Sequence, residues 1–549
     1  MRPRHSEQTG VRTVLELNVK RIILLVTFML VFMTCGSVLA EVKIFIKEYV
    51  YHATDDDNKE SSRTLALTEV KRLLLEELGY YLESRTEAIN LPLIRDQITT
   101  IAAGIVKTEI IADKWDTSNL KYWLKAKIVA NPDEVIKSIN SLRKDQIKME
   151  ELQEVKKRSD GLLRENIRLR RELTLSKGKD RQKMKLAYNQ TIKELIAYEW
   201  FVRGQSSLMS GNYKQAINDY DKVIELNPTN AWAYANRGVV YANLGNVNRA
   251  IKDFDMAIKL KPNDAVAAYV NRGQAYKNLE NYNQAIQDCN KAIEIKPDAV
   301  LLYDERGDVY RHFKKYKQAI GDYNMAVALN PEYSDLYNKR GITYEKLGNY
   351  DQAIQDYNRA IEISPQDVDA YLNRGLAYND LDEYDRAIQD FDTAIQLNPK
   401  GEDAYHSRGL AYESLGNHEQ AIQDYNKAIE LNPKRTEAYV DRGISYNVIG
   451  NYNQAIQDYN KAIELNPENA SAYFNRAASF ENLGNFNQAI RDYAKAIDLK
   501  PKDESAYFYR GLAYGELGDD DQAIHDIKVA ARLGFKTAQE YLKNRGIVW

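Results

Sequence analysis

Apolar positions along this chain change their spacing from one stretch to the next, and each spacing predicts a different element. No charged residue interrupts the run from Ile22 to Ala40, which follows Arg2, Arg4, Arg12, Lys20 and Arg21. Val42-Lys43-Ile44-Phe45-Ile46-Lys47 then alternates, which predicts a strand, because successive strand side chains face opposite ways. Behind Ser61 and Ser62, which can cap a helix, Leu67, Val70, Leu74, Leu78 and Tyr81 recur at helical spacing, and Ile94, Ile98, Ile101 and Ile105 predict a second helix. Val106 to Trp115 and Leu120 to Ala130 read as strands joined through Asp116-Thr117-Ser118-Asn119. Strand, helix, helix, strand, strand over residues 41–132 makes a small α+β domain able to bury a modest core. Charged residues dominate 133–196, where Val135, Leu142 and Met149 keep a heptad interval that Lys156 breaks. A solvated helical linker, interrupted near Gly161 and Lys177-Gly178, is expected there rather than a sustained coiled coil.

From Ala197 the pattern recurs every 34 residues, with starts at Ala197, Ala231, Val266, Val300, Ser334, Val368, Glu402, Thr436, Ala470 and Glu504 and one inserted residue, Ala265. Position 4 of the repeat is Trp200 and then Tyr nine times; position 8 is Gly except for Ala477; position 20 is always Ala; position 32 is Pro in nine repeats. Small residues let two helices touch, and proline ends the second helix of each unit. In this period and these positions, residues 197–537 resemble the tetratricopeptide repeat family. The resemblance implies a mainly α fold: an α-solenoid, a right-handed superhelix of ten helical hairpins, preceded by the charged helical segment and the α+β domain. A capping helix and tail are expected at 538–549. One hairpin cannot bury its own apolar face, so each neighbour supplies what it lacks.

Two positions depart from the usual family pattern. Position 7 is Arg in every repeat (Arg203, Arg237, Arg272, Arg306, Arg340, Arg374, Arg408, Arg442, Arg476, Arg510), and position 23 is Asp in every repeat (Asp219, Asp253, Asp288, Asp322, Asp356, Asp390, Asp424, Asp458, Asp492, Asp526). One charge of each sign per unit, on different helices, predicts a structural ladder of ion pairs within or between hairpins. The family resemblance further implies that positions 2, 5, 9, 12 and 13 of each first helix line a concave face. The Lys and Asn clamp with which some members hold a carboxylate is absent: positions 5 and 9 read Phe201 and Gln205, Val270 and Gln274, Asp304 and Asp308. Leu372 with Leu376, His406 with Leu410, Val440 with Ile444, Phe508 with Leu512, and Phe474 between them form a candidate apolar stripe for a partner segment. The alternative is that these side chains pack sideways on neighbouring first helices.

Composition narrows the function. In 549 residues, 76 basic and 79 acidic side chains leave a net charge of -3, so no global field draws the chain to nucleic acid or anionic lipid. The 39 Tyr residues against 12 Phe and 5 Trp trace largely to repeat position 4. Of two cysteines, Cys35 lies in the N-terminal segment behind a poor lipobox and Cys289 replaces a repeat aromatic, so no intrachain disulfide and no nucleophile is expected. Six scattered His residues show no metal-ligand spacing, and no phosphate loop or nucleophile elbow occurs. The expectation is a non-enzymatic chain without cofactor or metal.

The basic region, the apolar run and Val38-Leu39-Ala40 read as an export signal cleaved after Ala40, with an uncleaved inner-membrane anchor over 22–40 as the alternative. Through Val70 to Leu82 and the Ile110 to Pro132 hairpin, the α+β domain resembles the N-terminal domain of the flagellar assembly protein T type, which implies work in the bacterial envelope. These readings converge on an exported scaffold that binds envelope proteins, in envelope or flagellar assembly. A chaperone-like holder of unfolded or secreted clients and a structural subunit of a membrane-anchored complex are the alternatives.

Overall fold

The computed structural model describes residues 42–88, 102, 106, 108–144 and 146–549. Two compact units divide at Leu302 and Tyr303. The segment expected to direct export, residues 1–40, and nearly all of the helix expected over 94–105 lie outside the described residues.

The first unit begins with an antiparallel sheet of order β1-β3-β2, built from β1 (Lys43–His52), β2 (Thr108–Asp116) and β3 (Lys121–Ala130). Ile44 pairs with Val129 and Tyr51 with Tyr122, and β2 carries a bulge between Ile110 and Ala112. Across one face of the sheet lies α1 (Lys59–Ala88), which buries Leu67, Val70, Leu74, Leu78 and Leu82 against Tyr122, Leu124, Ala126 and Ile128. Its cap is Asn58: the Asn58 amide donates to Ser61 Oγ and the Ser61 amide to Asn58 Oδ1, each at 2.9 Å, so Ser61 is the reciprocal partner rather than the cap itself.

Beyond the sheet come α2 (Pro132–Lys144), α3 (Gln146–Leu175) and α4 (Gly178–Met209). The charged helical segment is present, yet one face of it is not solvated. Leu169, Leu173, Tyr188, Ile192 and Leu195 are buried in the same core as the sheet. Charged side chains fasten it: Asp56 takes Arg181 at 2.6 Å and Lys185 at 3.0 Å, and buried Asn166 donates to Thr191 at 3.0 Å between α3 and α4. Sequence spacing missed this because the apolar residues sit on two antiparallel helices and complete a core supplied by another element. Gly161 does not break α3, because a single glycine costs only about 1 kcal/mol inside a long helix. The break falls at Ser176-Lys177, where Gly178 adopts φ +61.

Ten hairpins follow, and the first has no separate opening helix: α4 runs through the linker boundary and supplies it. In the first unit the remaining helices are Tyr213–Leu226, Ala231–Asn243, Val247–Leu260, Val266–Asn278 and Tyr282–Ile295. The second unit holds the hairpins whose first helices are Ser334–Glu345, Val368–Asp380, Glu402–Ser414, Thr436–Val448, Ala470–Asn482 and Glu504–Glu516, and it closes with Lys536–Asn544. Asn212, Asn230, Asp367, Asn469, Asp503 and Asp519 cap helices by accepting from the third residue on. The tight turn inside each hairpin takes a left-handed residue, Gly211, Gly245, Gly348, Gly416, Gly450, Gly484 or Gly518, but Glu280, Lys314 and Asp382 hold φ +58 to +61 without being glycine.

Candidate protein-binding surface

The repeated side chains build a rigid frame first. In all ten hairpins the Arg at position 7 grips the Asp at position 23 of its own hairpin through Nε and Nη2; for Arg374 and Asp390 the distances are 2.8 and 2.6 Å. The ladder therefore runs within hairpins. It also runs between them: Nη1 of Arg237, Arg272, Arg340, Arg374, Arg408, Arg442 and Arg476 reaches back to Asp221, Asp255, Asn324, Asn358, Asp392, Asn426 and Asn460 of the preceding second helix, at 2.5 to 2.8 Å. That third partner, at repeat position 25, was missed by sequence reasoning, although Asp or Asn stands there in the first eight repeats. Each guanidinium also lies over the position 4 aromatic of its own helix, 5.4 Å away for Arg340 over Tyr337. Burial pushes the Asp356 and Asp458 carboxyls up and their arginines pull them back. At these two positions desolvation thus outweighs the pull of the guanidinium on the carboxyl.

Behind the frame, the position 8 glycine lies against the aromatic at position 24: a Cβ on Gly375 would come within 2.6 Å of Phe391 Cε1. Cys289, buried, fills that aromatic's place in the third repeat and leaves more room, 3.4 Å or more, above Gly273.

Neighbouring first helices of the second unit meet directly. Lys339 bonds to Asp304 at 2.8 Å, Ser445 to Glu413 at 3.1 Å, Ser479 to Asn447 at 2.8 Å and His406 Nε2 to Asp441 at 2.8 Å, each across one repeat. First helices approach one another along the stack more closely than second helices do, so they occupy its inner side.

The candidate stripe divides along that face. Val440, Phe508 and His406 are buried: Val440 in a cluster with Tyr459, Phe508 against Phe535 and Tyr541 of the C-terminal segment, and His406 between Asp441, Arg435 and the Tyr425 ring. Phe474 packs edge-on against Tyr493 and Tyr509, while Leu372, Leu410, Ile444 and Leu512 are half-buried. Leu376 alone among the nine is open, at 38%. Eight of the nine are therefore at least half covered by packing within the stack, and the open positions of the face mix polar side chains with Leu376 and Val448. Deeper on it, the tyrosine hydroxyls at position 24 meet carboxylates at position 12, Tyr425 to Glu413 at 2.9 Å and Tyr493 to Glu481 at 2.8 Å, and burial beside Tyr357 lifts Glu345 to about 7.

In the first unit the corresponding face is partly covered from within. Val155 of α3 is buried against Phe201, Ala233 and Val240, and Glu154 approaches Lys261 at 3.9 Å. A groove of about 440 Å³ remains beside it, lined in part by Trp232, Val239, Val270 and Asn271. Among the described residues no group of His, Cys, Asp and Glu is placed to hold a metal ion.

A family model described as TPR repeat matches residues 208–245, 307–348, 345–382, 445–484 and 482–518. A second, described as tetratricopeptide repeat, matches 231–264, 266–299, 368–400 and 402–435. No curated protein matches the chain. Among solved structures, a tetratricopeptide repeat protein from Parabacteroides merdae is 20% identical over 46% of this chain and 98% of its own, with a TM-score of 0.38. The APC/C hetero-tetramer Cut9-Hcn1 is 16% identical over 70% of this chain and 96% of the other, at 0.37. YrrB, described as a TPR protein with an unusual peptide-binding site, is 23% identical over 34% of this chain and 95% of its own, at 0.30.

Proposed function

Because this chain belongs to the tetratricopeptide repeat family, we propose that its scaffold for protein–protein interaction is non-enzymatic and works outside the cytoplasm, holding envelope proteins together. The observation that carries the binding role is the inner side of the second unit. Its first helices are tied to one another, so the frame is preorganised, while Asp369, Leu376, Asp403 and Glu437 stay exposed on it. The reading of location rests on the basic residues before Ile22 and the uncharged run to Ala40. Among the described residues no helix is long and apolar enough to cross a membrane.

A photo-crosslinking side chain at Leu376, compared with one at Gln355 on the exposed outer side of a second helix, tests the binding role in living cells. One or two discrete protein adducts from position 376 and none from 355 are expected. Equal labelling from both positions would remove the inner side as the binding surface, and a broad set of adducts from 376 would favour the chaperone-like holder. Location is read separately, from the N-terminal residue of the mature protein and from its fractionation with periplasmic or inner-membrane markers.

A further inference from the structure

At repeat position 2 the second unit places Asp335, Asp369, Asp403 and Glu437 one above another on four successive first helices, all open to solvent to a large degree. The first three repeats carry Tyr198, Trp232 and Ala267 at that position, so the acidic row is confined to the second unit.

Two of its four members are already answered. Lys339, at position 6 of its repeat, sits 3.3 Å from Asp335, 2.8 Å from Asp304 and 3.3 Å from Asp308, an ammonium seated among three carboxylates. Asp403 takes Arg435 at 2.5 Å. In the repeats that carry Asp369 and Glu437, position 6 is Asn373 and Asp441, and neither acid has a basic partner among the described residues. One turn along the helix from Asp335, on the same face, Asn338 is 5% exposed; its Nδ2 donates to Asp367 at 2.9 Å and its Oδ1 is a buried acceptor with no donor. Exposed Leu376 lies two turns along the same helix from Asp369 and on the same face. Unpaired carboxylates on the face that carries an open apolar side chain call for cations around an apolar anchor.

Resting on the scaffold reading, we propose that the inner side of residues 334–448 takes a basic amphipathic segment of a partner protein. Its Lys or Arg side chains answer Asp369 and Glu437 as Lys339 answers Asp335, and an apolar residue seats on Leu376.

Two fluorescein-labelled peptides of equal length and identical apolar residues, one bearing Lys and the other Glu at the remaining helix-face positions, are titrated into the full chain. The Lys peptide is expected to bind at least tenfold more tightly, and to weaken as salt rises. Replacing exposed carboxylates leaves the fold unstressed, so Asp369→Asn with Glu437→Gln should weaken it about three- to tenfold, whereas Glu362→Gln on a second helix should leave it unchanged. Equal affinity for both peptides, or indifference to the double substitution, overturns the proposal. The adduct from position 376 separates the two readings: a protein cross-linked through an acidic or uncharged segment ends this proposal and leaves the scaffold standing, while a second copy of this chain as the adduct ends it too.

Discussion

A glycine against a ring is the smallest unit on which the stack depends. Gly375→Ala puts a methyl within 2.6 Å of the Phe391 ring, and the ring has to move. Ala477, which stands at the same position opposite buried Tyr493, shows that the movement is possible, so the loss should be about 1–2 kcal/mol rather than failure to fold. Gly273→Ala, facing Cys289, should cost little or nothing; urea unfolding of the two variants separates them, and equal losses would refute the contact as the cause. Arg374→Leu strands the carboxylate of Asp390, which is 5% exposed, and should cost about 3 kcal/mol. Adding Asp390→Leu should recover part of that loss, because the second change removes the stranded charge; a double variant worse than the single one would mean that the pair stabilises more than it costs to desolvate.

At the scale of the element, three turns of the helical stack carry strain. Lys314 and Glu280 hold left-handed φ values of +58 and +59 where most repeats use glycine. Lys314→Gly should raise the unfolding midpoint, a gain in stability of about 0.5–1 kcal/mol once the greater freedom of unfolded glycine is subtracted. Asp382→Gly should gain less, since Asp382 also accepts from Tyr384 at 2.6 Å. Helix Ser334–Glu345 brings a pH dependence: burial lifts Glu345 from 4.5 to about 7, so between those values the folded chain holds a proton that the unfolded chain has released. Stability should therefore fall as pH rises from about 4.5 to 7, and Glu345→Gln should flatten that slope; an unchanged slope assigns it elsewhere. Much at this scale could be read before the fold was seen. A fixed period exposes helix starts and the Arg–Asp ladder, because the same neighbours recur and the same side chains answer them. What could not be read is what depends on a partner distant in sequence: Leu169 and Tyr188 look solvated until the sheet is placed beside them, and Val440 and Phe508 look open until the next repeat and Phe535 cover them.

Across the whole molecule, stability in a stack passes between nearest neighbours. The last hairpin has no following repeat and borrows one from Lys536–Asn544, whose Ala538 and Leu542 are fully buried with Phe508, Ile527 and Ala531. Removing residues 535–549 should cost the last hairpin on the order of 3 kcal/mol, read as lost amide-exchange protection over 504–533 with protection over 213–260 unchanged. Uniform loss along the chain would mean that the stack unfolds as one body. At the other end of the chain, α4 is a single helix of 32 residues, about 48 Å long, with Tyr188 and Leu195 in the sheet's core and Phe201 in the first hairpin's. Such a rod has no hinge in it: a twist applied at the opening hairpin must arrive at the β-sheet, so whatever pulls on one is felt by the other.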